Sequence, residues 1–146
     1  MAGNEYTGRG AEPAAASPLR DDPYAAHHGI HIVSAQRGLA QVRIELPPWA
    51  RNAAGVCHGG VLFTLADYAA GVANHTIGRE LSMQGNINWL GSAAPGDVLT
   101  AEARVVHEGR RTFVTSVEVR NQHGRRVAWA TFTGARLADG GETADG

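Results

Sequence analysis

From Leu39 to Leu46 apolar and polar side chains alternate. Ala40, Val42, Ile44 and Leu46 fall on one side, Gln41, Arg43 and Glu45 on the other, which is the period of a half-buried β-strand. Pro47-Pro48 ends it, because proline cannot donate to a strand ladder. A shorter strand candidate, residues 29–34 (GIHIVS), comes before, and residues 49–57 read as a loop broken at Gly55. From Gly59 to about Thr76 the period lengthens: Leu62, Leu65, Ala66, Ala69, Val72 and Ala73 recur at helical spacing and form one apolar stripe. Gly71 weakens that helix and predicts a close approach by another element. After Gly78 the period returns to two, predicting strands over 81–90, 97–107, 111–120 and 125–137. Leu99, Ala101, Ala103 and Val105 share a face of one; Phe113, Val117 and Val119 share a face of the next. The breaks at 107–110 and 121–124 are short enough for antiparallel hairpins.

The order is thus two strands, one long helix and four strands. A single helix covers only one face of such a sheet, so the sheet must curl around it in an α+β arrangement, the layout of a hotdog fold. Residues 1–20 are rich in Ala, Gly and Pro and read as a disordered arm, and residues 138–146 as a flexible tail, leaving a single domain over 21–137.

Composition narrows the function classes. Thirteen basic residues balance fourteen acidic ones, so no bulk field recruits nucleic acid or an anionic membrane, and a charged substrate must be met locally. The one cysteine, Cys57, excludes an internal disulfide. No apolar run reaches the roughly 18 residues of a membrane span and no secretory pattern opens the chain, so a soluble, cytoplasmic protein is expected. His27, His28 and His31 flank a strand start without a matching carboxylate or cysteine set, and no metal is expected there.

The long helix is unusual on its outward face. Opposite the apolar stripe stands Asp67, with Phe63, Ala70 and Asn74 near its direction, and between His58 and Ile77 there is no other Asp, Glu, Lys or Arg. So small and uncharged a face predicts a covering surface, most simply the same helix of a second copy across a two-fold axis. A lone carboxylate in such a seam is either a structural acceptor or functional.

Around it runs N-A-A-G-V-C-H-G-G-V-L-F-T-L-A-D, from Asn52 to Asp67. This resembles the signature of the PaaI-like (phenylacetate-pathway) hotdog thioesterases, in which an Asn precedes His-Gly-Gly and an acid lies on the following helix. Asn52, Gly55, His58, Gly59, Gly60, Phe63, Leu65, Ala66 and Asp67 carry the match; Pro95-Gly96-Asp97, His107-Glu108-Gly109 and Val119-Arg120-Asn121 extend it, over about residues 24–137.

The resemblance implies an acyl-CoA thioesterase without a cofactor, with acyl groups of aryl-acetyl or medium size. It implies that the Gly59 N–H receives the oxyanion, as a donor at a helix N-terminus can. Asp67 would be general base or nucleophile, and Asn52 would position the thioester or the water. His58 and Gly60 support the loop, Ser82 is a candidate for holding the water, Phe63 lies on the substrate path, and Arg110 and Arg111 are candidate phosphate partners. Cys57 reads as a small buried residue rather than a nucleophile. Gly59 and Asp67 are eight residues apart, about 12 Å along a helix, whereas each must stand within about 3 Å of reacting atoms. One chain cannot place both on one thioester; two antiparallel helices can. A homodimer is therefore part of the expectation, and the family's habit points on to a homotetramer.

The chain also departs from its relatives. Gly91-Ser92 stands where they commonly have Arg-Pro, Asn88 where an acid is frequent, and the bulky Trp89 is adjacent, which leaves the acyl specificity open. A carrier-protein thioesterase and a non-catalytic hotdog acyl-CoA binder are the other readings. A hotdog dehydratase lacks its histidine-bearing helix here.

Overall fold

The computed structural model describes residues 18–138. Its elements are a 3-10 turn (Pro18–Asp21), α1 (Pro23–His28), β1 (His31–Gln36), β2 (Leu39–Glu45), α2 (Gly59–His75), β3 (Glu80–Trp89), β4 (Val98–Glu108), β5 (Thr112–Arg120) and β6 (Arg126–Arg136). The strands form one six-stranded antiparallel sheet in the order β1-β2-β4-β5-β6-β3. The two predicted hairpins join β4 to β5 and β5 to β6, while β3 crosses to the far side of β6. Helix α2 touches every strand, so the sheet wraps it as a hotdog fold requires.

The stripe predicted on α2 is the core. Leu65, Ala66, Ala69, Val72 and Ala73 are fully buried against Val42, Ile44, Leu99, Ala101, Ala103, Val117 and Val119, each full-size aliphatic side chain contributing about 1.5–3 kcal/mol. The curl goes further than a helical wheel shows. Ala70 and Asn74, expected on the outward face, are also fully buried within the single chain, and the Thr115 hydroxyl of β5 donates to Asn74 Oδ1 at 2.5 Å.

The remaining outward face is partly covered by the chain's own N-terminal segment. The Tyr68 hydroxyl donates to the Leu19 carbonyl at 2.6 Å, and Leu19 lies against Gly71, where a Cβ would stand 3.2 Å from its Cδ1. That is the close approach Gly71 predicted. It also corrects the arm's boundary: residues 18–20 belong to the folded unit, while the rest of the expected arm and the tail from 139 onward lie outside the described residues. Helix α1 was missed, although Asp22-Pro23 carries its start signal. Asp22 Oδ1 accepts from the Ala25 N–H at 2.9 Å and Pro23 takes the first helical position.

Strand β3 is open along one edge. From Leu81 onward nearly all of its residues are exposed, including Leu81, Met83 and Trp89. A ten-residue strand with unpaired backbone groups and exposed apolar side chains is a template for another strand. Among the described residues no helix is long and apolar enough to cross a membrane.

Candidate active site

The motif loop is built to deliver the start of α2. Asn52 Oδ1 accepts from the Ala54 N–H at 2.9 Å and the Val56 N–H at 3.3 Å, closing a turn that Gly55 completes with φ +83°, a conformation open to glycine. The loop is then pinned: Cys57 N–H donates to the Ala93 carbonyl at 2.7 Å and His58 N–H to the Ala50 carbonyl at 2.8 Å. His58 is the N-cap of α2, its Nδ1 accepting from the Gly60 N–H at 3.0 Å. The imidazole and the Gly60 donor are thereby committed to shaping the helix start. The Gly59 N–H has no acceptor among the described residues and sits at the positive end of a 17-residue helix.

Gly59 opens onto a cavity of about 490 Å³ lined by Asn52, Val56, Cys57, Leu62, Trp89, Leu90, Gly91 and Ser92. Trp89 lies across its wall and donates from Nε1 to the Gly59 carbonyl at 3.2 Å. A Cβ at position 59 would meet that indole at 2.9 Å, so glycine is needed here for close approach. Burial, with the negative charge of Asp97 second, pushes the Cys57 thiol up to about 11. It is therefore a neutral, buried side chain and no nucleophile at neutral pH.

Asp67 stands elsewhere. It lines a second cavity, of about 240 Å³, with Asp22, Tyr24, Ala25, Phe63, Thr64 and Tyr68. The two cavities share no residue. Desolvation by these walls, and next the charge of Asp22, raise the Asp67 carboxyl above the ordinary aspartate value, in the direction that improves a general base near neutral pH. Phe63 packs edge-on against Phe132 with ring centres 5.5 Å apart. Asp22 and Tyr24 of the N-terminal segment escaped the sequence reading, and the Asp-Pro cap signal would have found them.

Not every expected residue is gathered here. Across the sheet, Trp89 pairs with Ala128, which pairs with Val119, and this end adjoins Gly59. Ser82 pairs with Gly134, which pairs with Phe113 opposite Glu108, seven residues along β3 and so about 23 Å away. Arg110 and Arg111 occupy the turn after Glu108. Ser82, Arg110 and Arg111 therefore line neither cavity in the single chain. His28 meets the Trp49 ring edge-on and His27 lies tilted beside it. Among the described residues no three His, Cys, Asp or Glu side chains converge as a metal site.

A wrapped helix with an unclaimed amide at its start and a lone acid in its middle holds a donor and a base of the kinds acyl transfer uses. A family model described as the thioesterase superfamily matches residues 54–128. The acyl-coenzyme A thioesterase PaaI of Escherichia coli is 37% identical over 109 residues, 74% of this chain and 78% of that protein. The structure of the E. coli PaaI protein superposes with a TM-score of 0.81 at 33% identity, over 86% of this chain and 91% of that one. A Streptococcus mutans protein, smu.793, solved bound to acetyl CoA, superposes with a TM-score of 0.72 at 37% identity, over 75% of this chain and 89% of that one. The chain belongs to the thioesterase superfamily and is a thioester hydrolase. Within that superfamily it is PaaI-like.

Proposed function

We propose that the protein hydrolyses acyl-CoA thioesters to a free acid and CoA at sites shared between two subunits, Asn52 and Gly59 coming from one and Asp67 from its partner. The observation that carries this is the separation of the two half-sites in one chain: the donor at Gly59 and the acid at Asp67 open into different cavities, about 12 Å apart along one helix. The bare edge of β3 supports the second copy. Two such edges paired antiparallel would join the sheets and set the two α2 helices side by side in opposite directions.

The chemistry follows from the parts. Asp67, as carboxylate, takes a proton from water while the water oxygen attacks the thioester carbonyl carbon. The carbonyl oxygen becomes an oxyanion facing the Gly59 N–H. When the carbonyl re-forms, the C–S bond breaks and the electron pair leaves on sulfur. A thiolate is a stable leaving group near its ordinary pKa of about 8.5, and the proton held by Asp67 can be returned to it. In the nucleophile variant the carboxylate oxygen attacks the carbonyl carbon, the C–S bond breaks to expel the thiolate, and water hydrolyses the resulting mixed anhydride to the free acid and the Asp67 carboxyl. The amide of Asn52, whose oxygen already holds its own turn, offers its N–H₂ to the substrate carbonyl or to the water. Aromatic walls at Phe63, Tyr24 and Tyr68 support an aryl-acetyl or similar compact apolar acyl group.

The test is thiol release over a panel of acyl-CoAs, including phenylacetyl-CoA, with Asp67→Asn as control. The expected outcome is turnover on at least one of them, and a loss of about 10²–10⁴-fold in the variant with the oligomer intact. Full turnover by Asp67→Asn would remove the acid from the mechanism.

A further inference from the structure

The Gly59 cavity is lined by polar and apolar side chains but by no charged one. A CoA thioester carries several negative charges beyond its pantetheine arm, and the balanced composition of the chain supplies no general field to hold them. The cation must therefore come from the rim. The β5–β6 hairpin, residues 121–125, reaches this end of the sheet, and its Arg125 lies on Gly91, one of the lining residues. A Cβ at position 91 would stand 3.3 Å from Arg125 Nη2 and 3.5 Å from Nε. The guanidinium thus fills the space that any side chain at 91 would need.

Three further observations describe Arg125, and the second sets it apart from Arg120 and Arg126. It is exposed. It makes no ion pair among the described residues, whereas Arg120 and Arg126 on either side are both held by Glu118, at 2.7 and 2.9 Å. Its backbone is fixed, the Arg125 N–H donating to Asn121 Oδ1 at 3.0 Å and its carbonyl accepting from the Asn121 N–H at 2.9 Å, so the side chain projects from an ordered turn. Arg110 and Arg111, in the turn between β4 and β5, are at the opposite end of the same chain's sheet.

We propose that Arg125, projecting from the β5–β6 hairpin and seated on Gly91, is the phosphate-binding residue at the mouth of the Gly59 cavity. A guanidinium offers paired N–H donors to a phosphate or pyrophosphate group. The proposal rests on the acyl-CoA reading of the site, and an anionic group on the acyl chain is the other source of the same chemistry.

The test uses the whole chain and measures binding, so it does not depend on turnover. Affinities for CoA, for pantetheine and for a dicarboxylic acyl-pantetheine are compared by calorimetry in wild type, Arg125→Gln, Arg125→Lys and Gly91→Leu. Loss of CoA affinity by about tenfold in Arg125→Gln, with pantetheine affinity unchanged, is expected for one charge-assisted contact. Arg125→Lys should keep part of the affinity, and Gly91→Leu, which crowds both the guanidinium and the cavity wall, should lose CoA affinity at least as far as Arg125→Gln. The wild-type preference for CoA over pantetheine should shrink with added salt. Equal CoA affinity in wild type and Arg125→Gln overturns the proposal. So does an equal loss for CoA and pantetheine, which would mark a structural role, and so does a loss confined to the dicarboxylic ligand. A protein that binds CoA through Arg125 yet releases no thiol from acyl-CoAs would sink the proposed acyl-CoA hydrolysis and leave the Arg125 proposal standing.

Discussion

If each site takes its amide from one chain and its acid from the other, two dead proteins should make a live one. Consider Gly59→Val and Asp67→Asn. A Cβ at Gly59 would stand 2.9 Å from Trp89 Nε1 and 3.0 Å from its Cε2, so a branched side chain there must displace the indole or fill the cavity beside the amide. The second variant removes the acid and leaves the helix unchanged. Each homodimer carries the same lesion in both sites and should retain about a hundredth of wild-type turnover or less. When the two chains are co-expressed in equal amounts, about half of the dimers are mixed. In each mixed dimer one site collects both lesions and the other is wholly native, because a two-fold axis exchanges the contributions. Intact sites are then about a quarter of the total, and turnover should recover to about a quarter of wild type. Thiol release from an acyl-CoA reads the activity, and differently tagged chains purified in sequence isolate the mixed dimer, where the expectation rises to about a half. A purified mixed dimer no more active than its parents would refute the shared site, since sites confined to single chains gain nothing from mixing.

Two further predictions concern the buried acid at the start of β3. Glu80 is 5% exposed and its Oε2 has no hydrogen-bond partner among the described residues; burial raises its pKa, which Asn74 and His75 oppose and Asp67 reinforces. A carboxyl raised on folding favours the folded state below its unfolded pKa and loses that contribution as pH rises through its folded value. Glu80→Gln should therefore gain stability relative to wild type as pH increases, measured by denaturant unfolding between about pH 4 and 8; a constant difference over that range would contradict the raised value. Gly134→Ala places a Cβ in collision with Glu80 Oε2 and should cost about 1–3 kcal/mol as overpacking. Glu80→Ala in the same chain should recover part of that loss, while strict additivity of the two would show that they do not meet.

Residues differ in how visible they are before folding. Asp67 stood out because a helix with one charge on an otherwise small, neutral face is rare in water. Gly59 and Asn52 stood out through their spacing from it. Arg125 did not, because nothing in a hairpin sequence reveals that a glycine 34 positions earlier has left it room. Glu80 was hidden for a similar reason: it reads as an ordinary polar strand residue until Gly134 of another strand is seen to accommodate it.

The alternation in the strands, the helical stripe and the two short hairpin breaks are local properties, and they determined the elements, their order and the core face of each. They also exposed the motif, since its spacing lies within one loop and one helix. What the tertiary structure decided was everything that depends on strands distant in sequence becoming neighbours: that β3 closes on β6 and leaves its other edge bare, that Ala70 and Asn74 disappear under the curl of the sheet, that Leu19 seats itself on Gly71, and that the amide and the acid open into separate cavities. Register and curl arise from long-range packing, which a one-dimensional period cannot encode.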